Sequence, residues 1–204
     1  FTAFAVGGVA NAINIIDGFN GLTAGVTLIM LGAFGLIARQ VGDIALAFSC
    51  LVMAASVAGF FVVNWPRGKI FLGDGGAYFL GFALAWIAVL LPERNASVSP
   101  WTSLLICAYP ITEVGFSIYR RRFLREGYPA TQPDAVHLHS LANRRWAKKL
   151  WPNASLTTQN GMTAPLLWLY ALLPCSAAVF FYTSFLATLG ALVVSFVFYL
   201  LMYH

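Results

Sequence analysis

The sequence predicts an all-α fold, a polytopic transmembrane helix bundle of about seven membrane helices. Three observations carry this. Pro165 to Leu200 runs for 36 residues without a charged side chain. Only 9% of the 204 residues are charged and 60% are hydrophobic, whereas a soluble domain usually carries about 25% charged residues. Comparable apolar stretches recur throughout, and a crossing takes about 20 apolar residues, because a helix rising about 1.5 Å per residue must span about 30 Å of hydrocarbon.

The spans fall near 1–16, 20–38, 44–63, 75–91, 100–119, 164–182 and 184–203. The first is short and opens on Phe1, not Met, already inside an apolar stretch. It is therefore expected to belong to an N-terminally truncated chain, the later part of a longer protein. The second lies between a polar, glycine-containing turn and Arg39, and the third ends where Asn64 opens a polar loop. The fourth is short enough to need support from its neighbours. The fifth stops at the basic run Arg120-Arg121-Arg122, with Arg125 just beyond, and the uncharged C-terminal stretch supplies the last two. Only Val62–Asp74 and Arg120–Met162 are polar enough to be substantial loops, so residues 1–204 read as one membrane-embedded domain with a main loop at about 120–162. Strand alternation, internal repeats, low-complexity segments and a signal peptide are not recognisable. Cys50, Cys107 and Cys175 lie inside apolar runs and read as packing residues, not bridges or zinc ligands.

Lysine and arginine set the orientation, since positive residues near span ends are retained on the cytoplasmic side. With seven crossings, one side receives Arg67, Lys69, Arg120, Arg121, Arg122, Arg125, Arg144, Arg145, Lys148 and Lys149, and the other only Arg39 and Arg94. The first group is expected in the cytoplasm. Because the basic residues hug membrane ends, the net charge of +5 points to anionic lipid headgroups and topology, not to nucleic acid.

Three polar motifs then share that cytoplasmic face. In the first, Asn11-Ala-Ile-Asn14-Ile-Ile-Asp17-Gly18-Phe19-Asn20-Gly21, the residues Asn11, Asn14 and Asp17 are three apart and lie along one helix face, where they can line a polar site. The plainer reading is that Asp17 and Asn20 cap helix ends while the asparagines bind helices together. In the second, Asn64-Trp-Pro-Arg67-Gly-Lys69-Ile-Phe71-Leu-Gly73-Asp74-Gly75-Gly76, a carboxylate sits between glycines just before an apolar helix. Asp74 suits Mg²⁺, which takes oxygen ligands and shares its shell with substrate phosphates, and Arg67 and Lys69 suit the phosphates themselves. An ordinary N-cap with two positive-inside anchors is the alternative. The third, Gln132-Pro-Asp134-Ala-Val-His137-Leu-His139-Ser-Leu-Ala-Asn143-Arg144-Arg145, places two histidines two apart, sharing a face only if the segment is extended. Without a third nitrogen or sulfur ligand nearby, imidazoles beside arginines fit a diphosphate better than zinc, and solvent-exposed loop histidines are the plain alternative.

Together the three stretches Asn11–Gly21, Phe71–Gly76 and Asp134–His139 resemble, in order, three cytoplasmic motifs of the polyprenyl-phosphate N-acetylhexosamine-1-phosphate transferases, the glycosyltransferase family 4 group of bacterial membrane enzymes. The resemblance covers essentially the whole chain. It implies transfer of a sugar-1-phosphate, with N-acetylglucosamine-1-phosphate the leading expectation, from a UDP-sugar to a lipid phosphate, usually undecaprenyl phosphate. UMP leaves and Mg²⁺ or Mn²⁺ assists. By the same resemblance Asp17 and Asp74 are catalytic and hold the metal, while Asn20, His137 and His139 bind substrate; Asn11, Asn14, Lys69 and Arg144, read from their own motifs, are expected to bind substrate as well. Asn20 takes a position where the family carries aspartate or asparagine, and it cannot act as an anionic ligand. His-Leu-His, in place of a run of three histidines, is similar to the branch that starts lipopolysaccharide O-antigen or capsule chains. The expected setting is the bacterial inner membrane with the site facing the cytoplasm, and a homodimer is open to it.

The family's further aspartate pair, from an earlier cytoplasmic loop, has no match here, and these 204 residues alone are expected to be inactive. Direct attack by the lipid phosphate and a covalent carboxylate intermediate both fit the motifs. A non-catalytic membrane fragment is one rival. A transporter is another, but it predicts mid-bilayer charges and paired helix breaks, and the carboxylates read as lying at span ends.

Overall fold

The computed structural model describes residues 2–124 and 136–204. Every regular element among them is helical. Helix α1 is Thr2–Ile16, α2 Leu22–Gln40, α3 Ile44–Asn64 and α4 Gly73–Arg94. Next come α5 (Pro100–Ile106) and α6 (Ala108–Tyr119), which runs into a π-helical turn at Arg120–Leu124. The loop region contributes α7 (Leu138–Ala142), a second π-helical turn at Asn143–Ala147, α8 (Lys148–Leu150) and α9 (Leu156–Gly161). Helices α10 (Ala164–Phe181) and α11 (Phe185–Tyr203) follow. Arg125, Gln132, Pro133 and Asp134, named from the sequence, lie outside the described residues.

Five helical segments are long and apolar enough to cross a membrane, and the bent pair α5–α6 makes a sixth. The shorter apolar α1 occupies the place of the first expected span. In the segment containing α2, 67% of the apolar window is buried, against 17% in α3 and in α11. So α2 is the centre of the bundle, and α3 and α11 turn Phe48, Leu51, Val194 and Leu201 outward, as lipid-facing helices do. Close backbone approach is built with small residues. A Cβ on Gly81 of α4 would lie 2.5 Å from Ala10 Cα of α1, and one on Gly25 of α2 would collide with the Trp168 indole of α10. All three cysteines are free and buried, in keeping with a packing role.

The connections α1–α2, α3–α4 and α6–α10 meet at one end of the bundle, where Gly21 N donates to Asn64 Oδ1 (2.6 Å) and Asn20 N to Asn160 Oδ1 (2.8 Å). At the other end, Arg94 forms a two-pronged pair with Asp43 (2.8 and 3.0 Å) and Ser99 N donates to Tyr182 O.

The fifth expected span needs correction. It is not one straight helix over 100–119 but two, bent by 77° at Cys107. Pro110 is the cause: it has no N–H to offer the Ile106 carbonyl one turn earlier. That carbonyl is met instead by Cys175 Sγ of α10 (3.6 Å). A second correction follows. Glu113 lies within α6 and is 1% exposed, so not every carboxylate sits at a span end. Among the described residues this is one break without a matching partner, and so it does not restore the transporter reading.

Candidate functional site

The first motif sits where α1 ends and the chain turns toward α2. Gly21 has φ of +76°, the left-handed region, and a Cβ there would lie 2.5 Å from the Trp65 ring, so both conformation and space require glycine. Trp65, Phe61 and Trp168 form an aromatic block around this turn. Trp168 Nε1 donates to Gly21 O (3.1 Å) and Trp65 Nε1 to Gly161 O (2.8 Å). The block fixes the first and second motif loops against α9 and α10.

On that platform the two sequence-predicted aspartates approach each other. Asn14 Nδ2 donates to Asp74 Oδ1 at 3.1 Å, tying the last turn of α1 to the first turn of α4. Asp74 is exposed in that first turn, where the partial positive charge of the helix N-terminus favours an anion. The Asp17 carboxyl is held above the usual carboxylate range. Burial is the main cause, the Thr23 hydroxyl works against it, and the Asp74 carboxylate adds to the rise. Two carboxylates repelling each other at a polar mouth form a site that a cation would relieve.

The histidine motif closes over the same turn. His137 is extended (φ −66°, ψ 151°) immediately before α7, and His139 lies inside that helix. This junction lets residues two apart share a side, and their rings stack at 5.2 Å and 16°. A Cβ on Gly18 would meet His139 Nε2 at 3.1 Å, and the His139 ring packs edge-on to Phe19 at 5.5 Å. His139 therefore stands against the residue that follows Asp17.

The remaining predicted residues divide in two. Asn20 is taken up by structure: its Nδ2 donates to Pro66 O (3.4 Å), and its amide packs on Gly68, whose φ of +60° bends the second loop. Asn11, one turn before Asn14, and Lys69 and Arg144 are all exposed.

Sequence reasoning missed several residues. Glu113 Oε1 lies 2.8 Å from His137 Nδ1, and the Leu138 N–H donates to both Glu113 oxygens (3.1 and 3.3 Å). Arg120, read from sequence as a topological anchor, is buried and donates to Val136 O (2.6 Å) and the Tyr203 hydroxyl. It thus clamps the residue before His137. Asn64 joins two loops, donating to Ile70 O (2.7 Å) while accepting from Gly21. The usable signal for Glu113 was its being the only charged residue between Pro100 and Tyr119, a costly placement in an apolar span that asks for a partner.

The donor set can be tested against a metal. Among the described residues, no three histidine, cysteine or carboxylate side chains gather as a closed protein cage requires. One or two carboxylates are, however, what Mg²⁺ uses when water and substrate phosphate complete its shell. The residues fit such an ion.

Comparison with known proteins gives this geometry a family. Residues 1–92 match the model described as glycosyl transferase family 4. A *Yersinia pestis* undecaprenyl-phosphate alpha-N-acetylglucosaminyl 1-phosphate transferase is 36% identical over 148 residues, 70% of this chain and 40% of the relative. Residues 1–92 are a glycosyl transferase family 4 segment. The *Escherichia coli* K12 protein of the same name is 34% identical over the same shares. A probable undecaprenyl-phosphate N-acetylglucosaminyl 1-phosphate transferase of *Bacillus subtilis* is 34% identical over 68% of this chain and 38% of its own length. The chain thus spans about 40% of the length of the curated relatives it matches. The family-matched segment holds Asn11, Asn14, Asp17, Asn20, Lys69 and Asp74, and the imidazoles lie beyond it. The apolar helices and the bacterial relatives together describe a multi-pass membrane protein.

Proposed function

We propose that the full-length protein transfers N-acetylglucosamine-1-phosphate from a UDP-sugar to undecaprenyl phosphate, releasing UMP, at the cytoplasmic face of a bacterial inner membrane. The observation that carries this reading is the meeting of three motifs far apart in sequence. Asn14 binds Asp74, the half-buried Asp17 carboxyl lies within the field of the Asp74 carboxylate, and His139 stands against Gly18.

The acceptor phosphate is anchored by a hydrophobic chain and the donor is a soluble dianion, so they meet at the interface. The obstacle is bringing two anions together. Asp17 and Asp74 would hold Mg²⁺ or Mn²⁺, and Asn14 keeps the Asp74 carboxylate turned toward the shared mouth. When bound, the ion offsets phosphate repulsion and stabilises charge developing on the diphosphate. His137 and His139 hold the donor from the other side, with exposed Arg144 and Lys69 as the anion partners of its diphosphate. An oxygen of the lipid phosphate bonds to the sugar-bearing phosphorus as the bridging P–O bond breaks, and the electron pair leaves with UMP. Catalysis by positioning and electrostatics is the usual character of phosphoryl transfer.

The test is an assay of full-length protein in membranes with radiolabelled UDP-N-acetylglucosamine, undecaprenyl phosphate and Mg²⁺. Labelled lipid diphosphate sugar and stoichiometric UMP are expected. Asp74→Asn should lower the rate by about 100-fold or more, on the scale of removing a principal electrostatic contact. Unchanged transfer and unchanged metal dependence in D74N would reject the reading.

A further inference from the structure

The most deeply placed carboxylate among the described residues is outside the pair assigned above. Glu113 is 1% exposed, on a helix of the bundle, with Tyr109 and Tyr199 buried around it. A buried carboxylate is tolerated only where bonded, and this one faces the histidine motif. Its Oε1 lies 2.8 Å from His137 Nδ1, and the Leu138 N–H donates to both oxygens at 3.1 and 3.3 Å. The carboxylate therefore grips the motif twice, by side chain and by backbone, at the point where the extended segment becomes α7.

We propose that Glu113 is a positioning residue that sets the tautomer and direction of His137, so that His137 presents an unprotonated Nε2 as a hydrogen-bond acceptor to a hydroxyl or N–H group of the nucleotide-sugar donor. This rests on the transferase reading. Both Glu113 oxygens already accept from the Leu138 N–H, so the carboxylate accepts the Nδ1–H of His137 as well, and Nε2 on the opposite edge of the ring is left as an acceptor. The stacked His139 ring prevents His137 from rotating freely, and Arg120, through Val136 O, fixes the backbone just before it. The 77° bend enters the same argument, because the redirected α6 is the helix that carries Glu113.

The test uses full-length protein labelled with ¹⁵N-histidine, comparing wild type with Glu113→Gln, His137→Gln and the double variant. In wild type the His137 ring should show Nδ1 protonated, and UDP-N-acetylglucosamine should shift Nε2. In E113Q the amide N–H₂ turns to Nδ1, the proton moves to Nε2, and kcat/KM should fall by about 10- to 100-fold, as for other partners that orient a functional histidine. The double variant should be no slower than H137Q. Losses that multiply in the double variant would overturn the proposal, as would an E113Q enzyme with unchanged tautomer and rate. If E113Q does not accumulate, the wild-type spectrum decides: an Nε2-protonated His137 overturns the assignment. A wild-type protein that transfers no sugar phosphate would defeat the transferase reading instead, while the tautomer still reports on the Glu113 pair.

Discussion

Asp17 shows how a single side chain can oppose stability and serve a site. Its carboxyl titrates above the usual range because burial and, to a lesser degree, Asp74 disfavour the charge. The sign follows: the folded protein binds this proton more tightly than the unfolded chain, so the associated stability is present at acid pH and lost as pH rises through the raised pKa. Metal-free D17N should accordingly melt higher than wild type at neutral pH and equally at acid pH, in thermal scans of detergent-solubilised full-length protein. Adding Mg²⁺ should stabilise wild type and leave D17N unmoved, since a ligand stabilises only the state that binds it. A D17N protein that melts lower at neutral pH would contradict this. The nearness of Asp17 and Asp74 was anticipated because their motifs fall on loops expected on one membrane face, although helix capping was the plain alternative for each. Glu113 was not anticipated, because its significance lies in a histidine 24 positions away, visible only once α6 and α7 are packed.

Among elements, helix positions were readable almost throughout, since an apolar run between polar turns has one use in a bilayer. The seven expected spans coincide with α1, α2, α3, α4, α5–α6, α10 and α11. What escaped was the bend. Pro110 stood in the middle of the expected span, but Pro92 and Pro174 sit inside helices that run on, and only the Ile106 carbonyl paired to Cys175 shows that Pro110 redirects the chain. The element ends opposite the site are held by Asp43, which caps α3 at Leu46 N (3.1 Å) and pairs with Arg94. Burial pushes its pKa up, but the Leu46 N–H, Arg94 and Asn95 outweigh that and leave it below the usual range. Its contribution is thus present above the unfolded-state pKa and lost as pH falls through the folded one. Asp43→Ala should cost about 1 kcal/mol for the lost cap, with up to about 1 kcal/mol more from the half-exposed Arg94 partner. Chemical denaturation at neutral pH should record the loss, and activity at the distant site should survive in the folded fraction.

At the scale of the whole molecule, the bundle separates its two ends by task. One end is closed by an ion pair and caps, and the other gathers amides, carboxylates and imidazoles from α1, α4 and α7. The positive-inside pattern anticipated which loops share a face, because charge placement is a property of the sequence. It did not anticipate the aromatic block of Trp65, Phe61 and Trp168, which depends on the packing of α3 against α10 and on Gly21 and Gly25 leaving room. Mn²⁺ binding to the full-length protein, followed by electron paramagnetic resonance, tests the central claim most directly. Wild type should bind an ion that both Asp17→Asn and Asp74→Asn weaken by at least about 10-fold, while Glu93→Gln, at the opposite end, leaves it unchanged. Equal Mn²⁺ affinity in wild type, D17N and D74N would show that these carboxylates do not form one metal site.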